Sequence, residues 1–162
     1  MTGSDRIVGQ AAVTSHLNAP RVGLVVVTHG DAARAFIDAV EGILGPLPGA
    51  EAVNISMEEN FDGTLELVGK ACERADAGAG VVILVDLQGS SPYQACMAML
   101  DGSFPAEVVC GVNLPMLLKL ATMDRCELRP GEMAQMLRDV GRRSIRLGSE
   151  LTGKVTVEET SR

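Results

Sequence analysis

The chain lacks the features that mark several large functional classes. Its four cysteines, Cys72, Cys96, Cys110 and Cys126, form no Cys-x-x-Cys pair, and neither of the two histidines stands at ligand spacing from them, so no zinc site is spelled out. Reduced, buried, structural thiols are expected instead. No apolar run approaches the ~20 residues needed to cross a bilayer, because charges or glycines break each one. The first 20 residues carry Asp5, Arg6, Gln10 and His16 among small side chains rather than the uninterrupted apolar core of a secretory signal. A cytoplasmic protein is expected. Basic residues are outnumbered, 14 Lys and Arg against 21 Asp and Glu, for a formal charge of −7. That balance argues against a general basic surface for nucleic acid, while leaving room for a local patch. There is no internal repeat, no linker to a second domain, and no Gly-x-Ser-x-Gly hydrolase elbow, since Pro92 and Tyr93 follow Gly89-Ser90-Ser91.

What is present suits one globular domain. With 162 residues, 46% of them hydrophobic and 22% charged, such a chain buries roughly 70% of its unfolded surface. Residues 1–20 are small and polar without a sustained period, and read as a flexible N-terminal extension or the product of an upstream start. Residues 21–150 form the domain, and 151–162 a C-terminal tail.

Within the domain, strand and helix patterns alternate. Residues 22–28 are a β-branched, nearly continuous apolar run, the pattern of a central parallel strand with both faces covered. Phe36, Ile37, Val40, Ile43 and Leu44 then follow helical spacing, with Asp31 as a first-turn or capping residue and Gly45-Pro46 as the stop. A weaker strand at 51–55 precedes a helix over 64–75, with Leu65, Val68 and Cys72 on one face. Val81-Val82-Ile83-Leu84-Val85 is the strongest strand, and Ser91-Pro92 opens a third helix with serine as N-cap and proline in its first turn. A fourth strand over 107–112 leads into Asn113-Leu114-Pro115 and a further helix. Another helical pattern starts at Glu132, with Met133, Met136, Leu137 and Val140 facing inward. Residues 144–147 or 154–158 could supply a fifth short strand. The alternation predicts an α/β fold, a doubly wound, mainly parallel sheet with right-handed crossovers and strand order 2-1-3-4.

In that order strands one and three are neighbours, and the crevice outside their carboxyl ends is where such folds bind ligands. Val27-Thr28-His29-Gly30-Asp31 ends strand one and Val85-Asp86-Leu87-Gln88-Gly89-Ser90-Ser91-Pro92 ends strand three, so His29 and Asp86 are expected to meet there. A carboxylate bonded to one imidazole nitrogen fixes the tautomer and stabilises positive charge as the other nitrogen attacks. Helix N-termini near Gly30 and Ser91 favour anions, and Gly30 and Gly89 allow close backbone approach. A phosphate-binding edge made of Gly30, Gly89, Ser90 and Ser91 would serve phosphoryl transfer to His29, which is mostly positioning and electrostatics, with no metal and no cofactor. Each residue also has a plainer reading: His29 as a strand-end hydrogen-bonding group, Asp86 and Ser91 as N-caps, the methionines as core fillers or loop residues. The cluster Arg138, Arg142, Arg143 and Arg146 reads as a solvated helix face that could also meet an acidic partner.

From about residue 21 to 147 the chain resembles the IIA component of the mannose-type sugar phosphotransferase system. The resemblance rests on Thr28-His29-Gly30, on Val85-Asp86 with Gly89 and Ser91-Pro92-Tyr93, and on Gly111-Val112-Asn113-Leu114-Pro115-Met116-Leu117. It implies that the phosphocarrier HPr donates phosphate to His29, that a IIB component accepts it for sugar uptake, and that membranes are met only through IIC and IID partners. It also implies that Asp86 hydrogen-bonds His29, that Ser91 lies close to the phosphate, and that a homodimer exchanges a C-terminal antiparallel strand lying after Val140, so that residues 151–162 are either a tail or that exchanged strand.

The chain departs from the family where an aromatic residue and two glycines commonly precede Ser-Pro-Phe: here Gln88, Gly89 and Ser90 precede Ser91-Pro92-Tyr93. Ser90 does not adopt a positive φ easily, so the loop is expected to be set differently. Loss of the aromatic puts the partner surface in question. With no linker to a IIB domain, a free-standing subunit or a component whose phosphorylation state is a signal is expected. Three alternatives stand beside transport: a regulatory phosphoprotein whose His29 state signals without sugar transport, a dihydroxyacetone kinase phosphotransfer subunit built on a related domain, and a serine hydrolase using Ser91, His29 and Asp86.

Overall fold

Four parallel strands in the order β2-β1-β3-β4 organise the chain. The computed structural model describes residues 20–152. Residues 1–19 of the expected N-terminal extension, and the alternative fifth strand at 154–158, lie outside the described residues. The elements run β1 (Gly23–His29), α1 (Ala32–Leu44), β2 (Ala50–Ile55), α2 (Phe61–Ala75), β3 (Val81–Val85), α3 (Ser91–Ala98), β4 (Ala106–Cys110), α4 (Leu114–Thr122), α5 (Pro130–Arg143) and α6 (Gly148–Thr152).

The two central strands carry apolar side chains on both faces because helices cover both. On one face Leu24, Val26, Val82 and Leu84 pack with residues of α1, α4 and α5, including Ile37, Leu117 and Leu137. On the other, Val25, Val27, Ile83 and Val85 pack with α2 and α3 through Val68, Ala71, Cys72, Ala95 and Cys96. The sheet is therefore doubly wound, as the alternation predicts. The order in which strands are added reverses between β1 and β3, which pair in parallel from Gly23 with Val81 to Val27 with Val85.

Local chemistry sets the ends of the helices. At the end of α1, Gly45 sits at φ +88 with its N–H on the Glu41 carbonyl, a conformation that suits glycine. Asn60 starts α2 by accepting the Gly63 N–H at 2.8 Å. Arg125, which the sequence reading passed over, is buried and donates to the carbonyls of Val22 at 3.3 Å and Pro48 at 2.6 Å. It ties together the amino ends of β1 and β2, and burial pushes its pKa below the usual arginine value.

Several expectations need correction. The N-cap of α3 is Ser90 rather than Ser91, because the Ser90 hydroxyl is the one that accepts the Tyr93 N–H. Residues 144–147 form no strand: Ser144 closes α5 by donating its hydroxyl to the Gly141 carbonyl at 2.6 Å, and α6 follows. Cys72 and Cys96 are buried, but Cys110 and Cys126 are partly exposed. Ile43 and Leu44 match the helical period yet are exposed at the end of α1.

Candidate functional site

The carboxyl edge of β1 and β3 brings His29 and Asp86 together. His29 is the last residue of β1, paired with Ile55 of β2 on one side. Asp86 follows β3 directly and donates its own N–H to the Val27 carbonyl at 3.3 Å. Its carboxylate then takes two kinds of bond from His29. The backbone N–H donates to Oδ2 at 2.9 Å, and ring Nδ1 lies 3.0 Å from Oδ2 and 3.2 Å from Oδ1. Since a carboxylate only accepts, Nδ1 carries the hydrogen. No group among the described residues bonds Nε2, and the imidazole is about one-third exposed, at 33%. The ring is thus clamped at one nitrogen and offered to solvent at the other.

Burial raises the energy of the Asp86 carboxylate, but hydrogen bonds from the His29 ring and then its amide outweigh that effect, and the pKa lies below the ordinary aspartate value. The carboxylate is therefore charged near neutral pH.

The backbone around the imidazole is built by glycine and by helix starts. Gly30 at φ +57 turns the chain out of β1 towards α1, and Gly89 at φ +82 shapes the loop that leads to α3. The first N–H groups of a helix have no partner in the helix itself. In α1 the Arg34 N–H goes to Asn54 Oδ1 at 3.2 Å and Ala33 is fully buried, which leaves the N–H of Ala32 at the surface. In α3 Pro92 has no N–H and the Tyr93 N–H is taken by Ser90, which leaves that of Ser91.

The other two expected phosphate-binding groups are partly committed. The Gly30 N–H donates to the Ile55 carbonyl at 2.9 Å. The Ser90 hydroxyl donates to the Leu87 carbonyl at 2.8 Å while accepting from Tyr93 at 3.3 Å, so it fastens the loop to the helix. Ser90 takes φ −77 and leaves the left-handed conformation to Gly89. Gly89 and Ser91 are exposed at this edge.

Two features escaped the sequence reading. Thr28 is fully buried and its Oγ1 has no hydrogen-bond partner; its place beside His29 in a β-branched run gave no separate signal. Asn113 caps α4 by accepting the Met116 N–H at 3.3 Å, while its Nδ2 donates to the Gly141 carbonyl at 3.2 Å. This second bond draws the end of α5 to the same sheet edge. Among the described residues no group of three or more His, Cys, Asp or Glu could hold a metal ion, and no helix is long and apolar enough to cross a membrane.

Comparison with known proteins bears on this arrangement. The family model described as EIIA-man, PTS system fructose IIA component, matches residues 23–137. The sorbose-specific EIIA component of the phosphotransferase system of Lacticaseibacillus casei is 32% identical over 98 residues, 60% of this chain and 70% of that protein. The mannose-specific EIIAB component of Escherichia coli K12 is 26% identical over 125 residues, 77% of this chain but only 39% of that protein. The chain therefore spans about two-fifths of that longer relative. Two solved structures share the fold: a mannose/sorbose-specific IIA subunit from Enterococcus faecalis, with TM-score 0.68 and 24% identity over 87% of this chain and 99% of that one, and an EIIA component from Streptococcus agalactiae, with TM-score 0.72 and 17% identity over 80% and 98%.

Proposed function

The chain belongs to the mannose-type IIA family of the sugar phosphotransferase system, and from that premise we propose that it carries phosphate on His29, taking it from phosphorylated HPr and passing it to a IIB component for sugar uptake. The observation that carries this reading is the clamp of Asp86 on Nδ1 of His29 at 3.0 Å, with Nε2 unbonded. In the forward step the Nε2 lone pair attacks phosphorus, the N–P bond of the donor breaks, and its electron pair returns to the donor imidazole. The acceptor ring, substituted at Nε2 and still protonated at Nδ1, becomes cationic, and the Asp86 carboxylate stabilises that charge. Gly30, Gly89, Ser90 and Ser91 border the phosphoryl position in this reading, with N–H groups of Ala32 and Ser91 as its backbone donors.

Assembly belongs to the same proposal. The outer edge of β4 is unpaired among the described residues and borders a cleft of about 380 Å³ lined by Val108, Cys110, Ala134, Gln135 and Arg138. An exchanged strand from a second copy in the cytoplasm would cover it, as bare strand edges call for. The acceptor decides between transport and signalling. Discharge of the phosphorylated protein by a IIB component from the same genome supports transport; phosphorylation by HPr with no discharge to any IIB protein or dihydroxyacetone kinase subunit supports the regulatory reading.

A further inference from the structure

Strand order places exposed apolar side chains on both sides of His29. The chain leaving β2 after Ile55, the residue paired with His29, presents Met57 at 84% exposure; the chain leaving β3 after Asp86, which bonds His29, presents Leu87 at 59%. Exposed apolar groups beside a reactive centre suit a docking centre, not a solvated rim.

Charge around this centre is divided. On the β2 side stand the exposed carboxylates Glu58 and Asp62, with Asp31 following Gly30. The opposite side is basic, and hydrogen bonds trace the route to it. Asp86 holds His29; the preceding Val85 carbonyl accepts the N–H of Gly111 at 2.8 Å and of Val112 at 3.2 Å; the next residue, Asn113, holds the Gly141 carbonyl. Arg142 and Arg143 follow Gly141 at the end of α5. They are exposed, and neither has an acidic partner among the described residues, whereas Arg138 pairs with Asp139 and Arg146 with Glu150. With neighbouring strands about 4.8 Å apart, β4 lies about 10 Å from β1, and the Asn113 bond brings the end of α5 to that side of the edge. A standard interface covers about 800 Å² of each partner, a patch of roughly 16 Å radius. A footprint of that size centred on His29 extends past β4 towards Arg142 and Arg143 on one side and past β2 towards Glu58 and Asp62 on the other.

We propose that the carboxyl edge is a two-sided docking face for the phosphoryl donor, with Met57 and Leu87 at its apolar centre, Glu58 and Asp62 on one flank and Arg142 and Arg143 on the other. The partner it fits is a protein with an apolar patch around its phosphorylated histidine, basic on the side that meets β2 and acidic on the side that meets α5. Opposed charges of this kind fix orientation and speed encounter more than they add affinity. The proposal rests on the phosphocarrier reading and goes beyond it by naming the surface and the polarity of the partner.

The test compares labelling by phosphorylated HPr with chemical labelling by phosphoramidate, a small donor that needs no docking. Proteins compared are the wild type, Arg142→Glu/Arg143→Glu, Glu58→Lys/Asp62→Lys and Met57→Ser/Leu87→Ser, each checked for its thermal transition. The expected result is that either charge reversal lowers the ratio of HPr-driven to phosphoramidate-driven labelling about 10-fold or more at low ionic strength, with the loss shrinking in high salt. The apolar pair should lower the ratio with little dependence on salt. An arginine reversal that leaves the ratio unchanged, or raises it, overturns the two-sided face. A folded wild type that neither donor labels at His29 brings down the phosphocarrier reading itself, and this proposal with it.

Discussion

Asp86 holds His29 at two points, the ring Nδ1 at 3.0 Å and the backbone N–H at 2.9 Å. One carboxylate thus fixes the position of the strand end and the orientation of the ring at once. A side chain that only capped a strand would not require the second bond, and a mobile imidazole would not present one nitrogen consistently.

Replacing the carboxylate tests this directly. Asp86→Asn keeps an acceptor of similar shape but removes the negative charge that balances the ring. We expect phosphoryl transfer to fall on the order of 10²- to 10⁴-fold with the fold retained, by analogy of role with a carboxylate that orients a catalytic histidine. Transfer rates from phosphorylated HPr, read beside circular dichroism, check it; a rate within twofold of wild type would remove Asp86 from the mechanism.

The downward shift of the Asp86 carboxyl has a pH consequence. A carboxyl whose folded pKa is depressed contributes stability that is fully present above its unfolded pKa, near 3.9, and lost as pH falls through the folded value. The Asp86 carboxyl resonance should therefore titrate below about 3.9 in the wild type, and move up in His29→Ala, where the ring bond is gone while the burial remains. Carbon-13 NMR of the two proteins shows whether it does.

Much of this site was legible in the sequence because the polar groups interrupt strongly apolar strands. Val81 to Val85 has no polar side chain, so the aspartate that ends it marks the sheet edge, and the histidine after Val25-Val26-Val27-Thr28 does the same for β1. Strand order followed from alternation and a common topology. Less legible was anything decided by one hydrogen bond. Ser90 and Ser91 are chemically identical, and which of them caps α3 depends on the turn that Gly89 makes at positive φ. Arg125 reads as a surface charge until the fold brings it to the carbonyls of Val22 and Pro48, which are 103 and 77 positions away. The Asn113 contact with Gly141 likewise depends on two helices packing side by side, which no local pattern encodes.

Thr28 gives a stability prediction. Its hydroxyl is buried without a partner, a condition that costs about 1–3 kcal/mol. Thr28→Val removes the hydroxyl and keeps the shape, so it should make the protein about 1–3 kcal/mol more stable. Urea unfolding measures this. A loss of stability would mean that the hydroxyl has a bonding partner in solution.

The thiols should react in two groups. Burial, with lesser contributions from neighbouring charges, pushes Cys72 and Cys96 up to about 12, so neither has an accessible thiolate near neutral pH. Iodoacetamide under native conditions should modify the partly exposed Cys110 and Cys126 first, Cys110 slowed by its own burial-raised pKa. Cys72 and Cys96 should react only on unfolding. Peptide mass spectrometry before and after denaturant resolves the order.

The most direct test of the central claim is incorporation of phosphate from phosphoenolpyruvate through enzyme I and HPr of the same organism, comparing the wild type with His29→Ala. The account predicts one acid-labile phosphoryl group on the wild type and none on the variant. A folded wild type that stays unlabelled, or an equal label on His29→Ala, would contradict it.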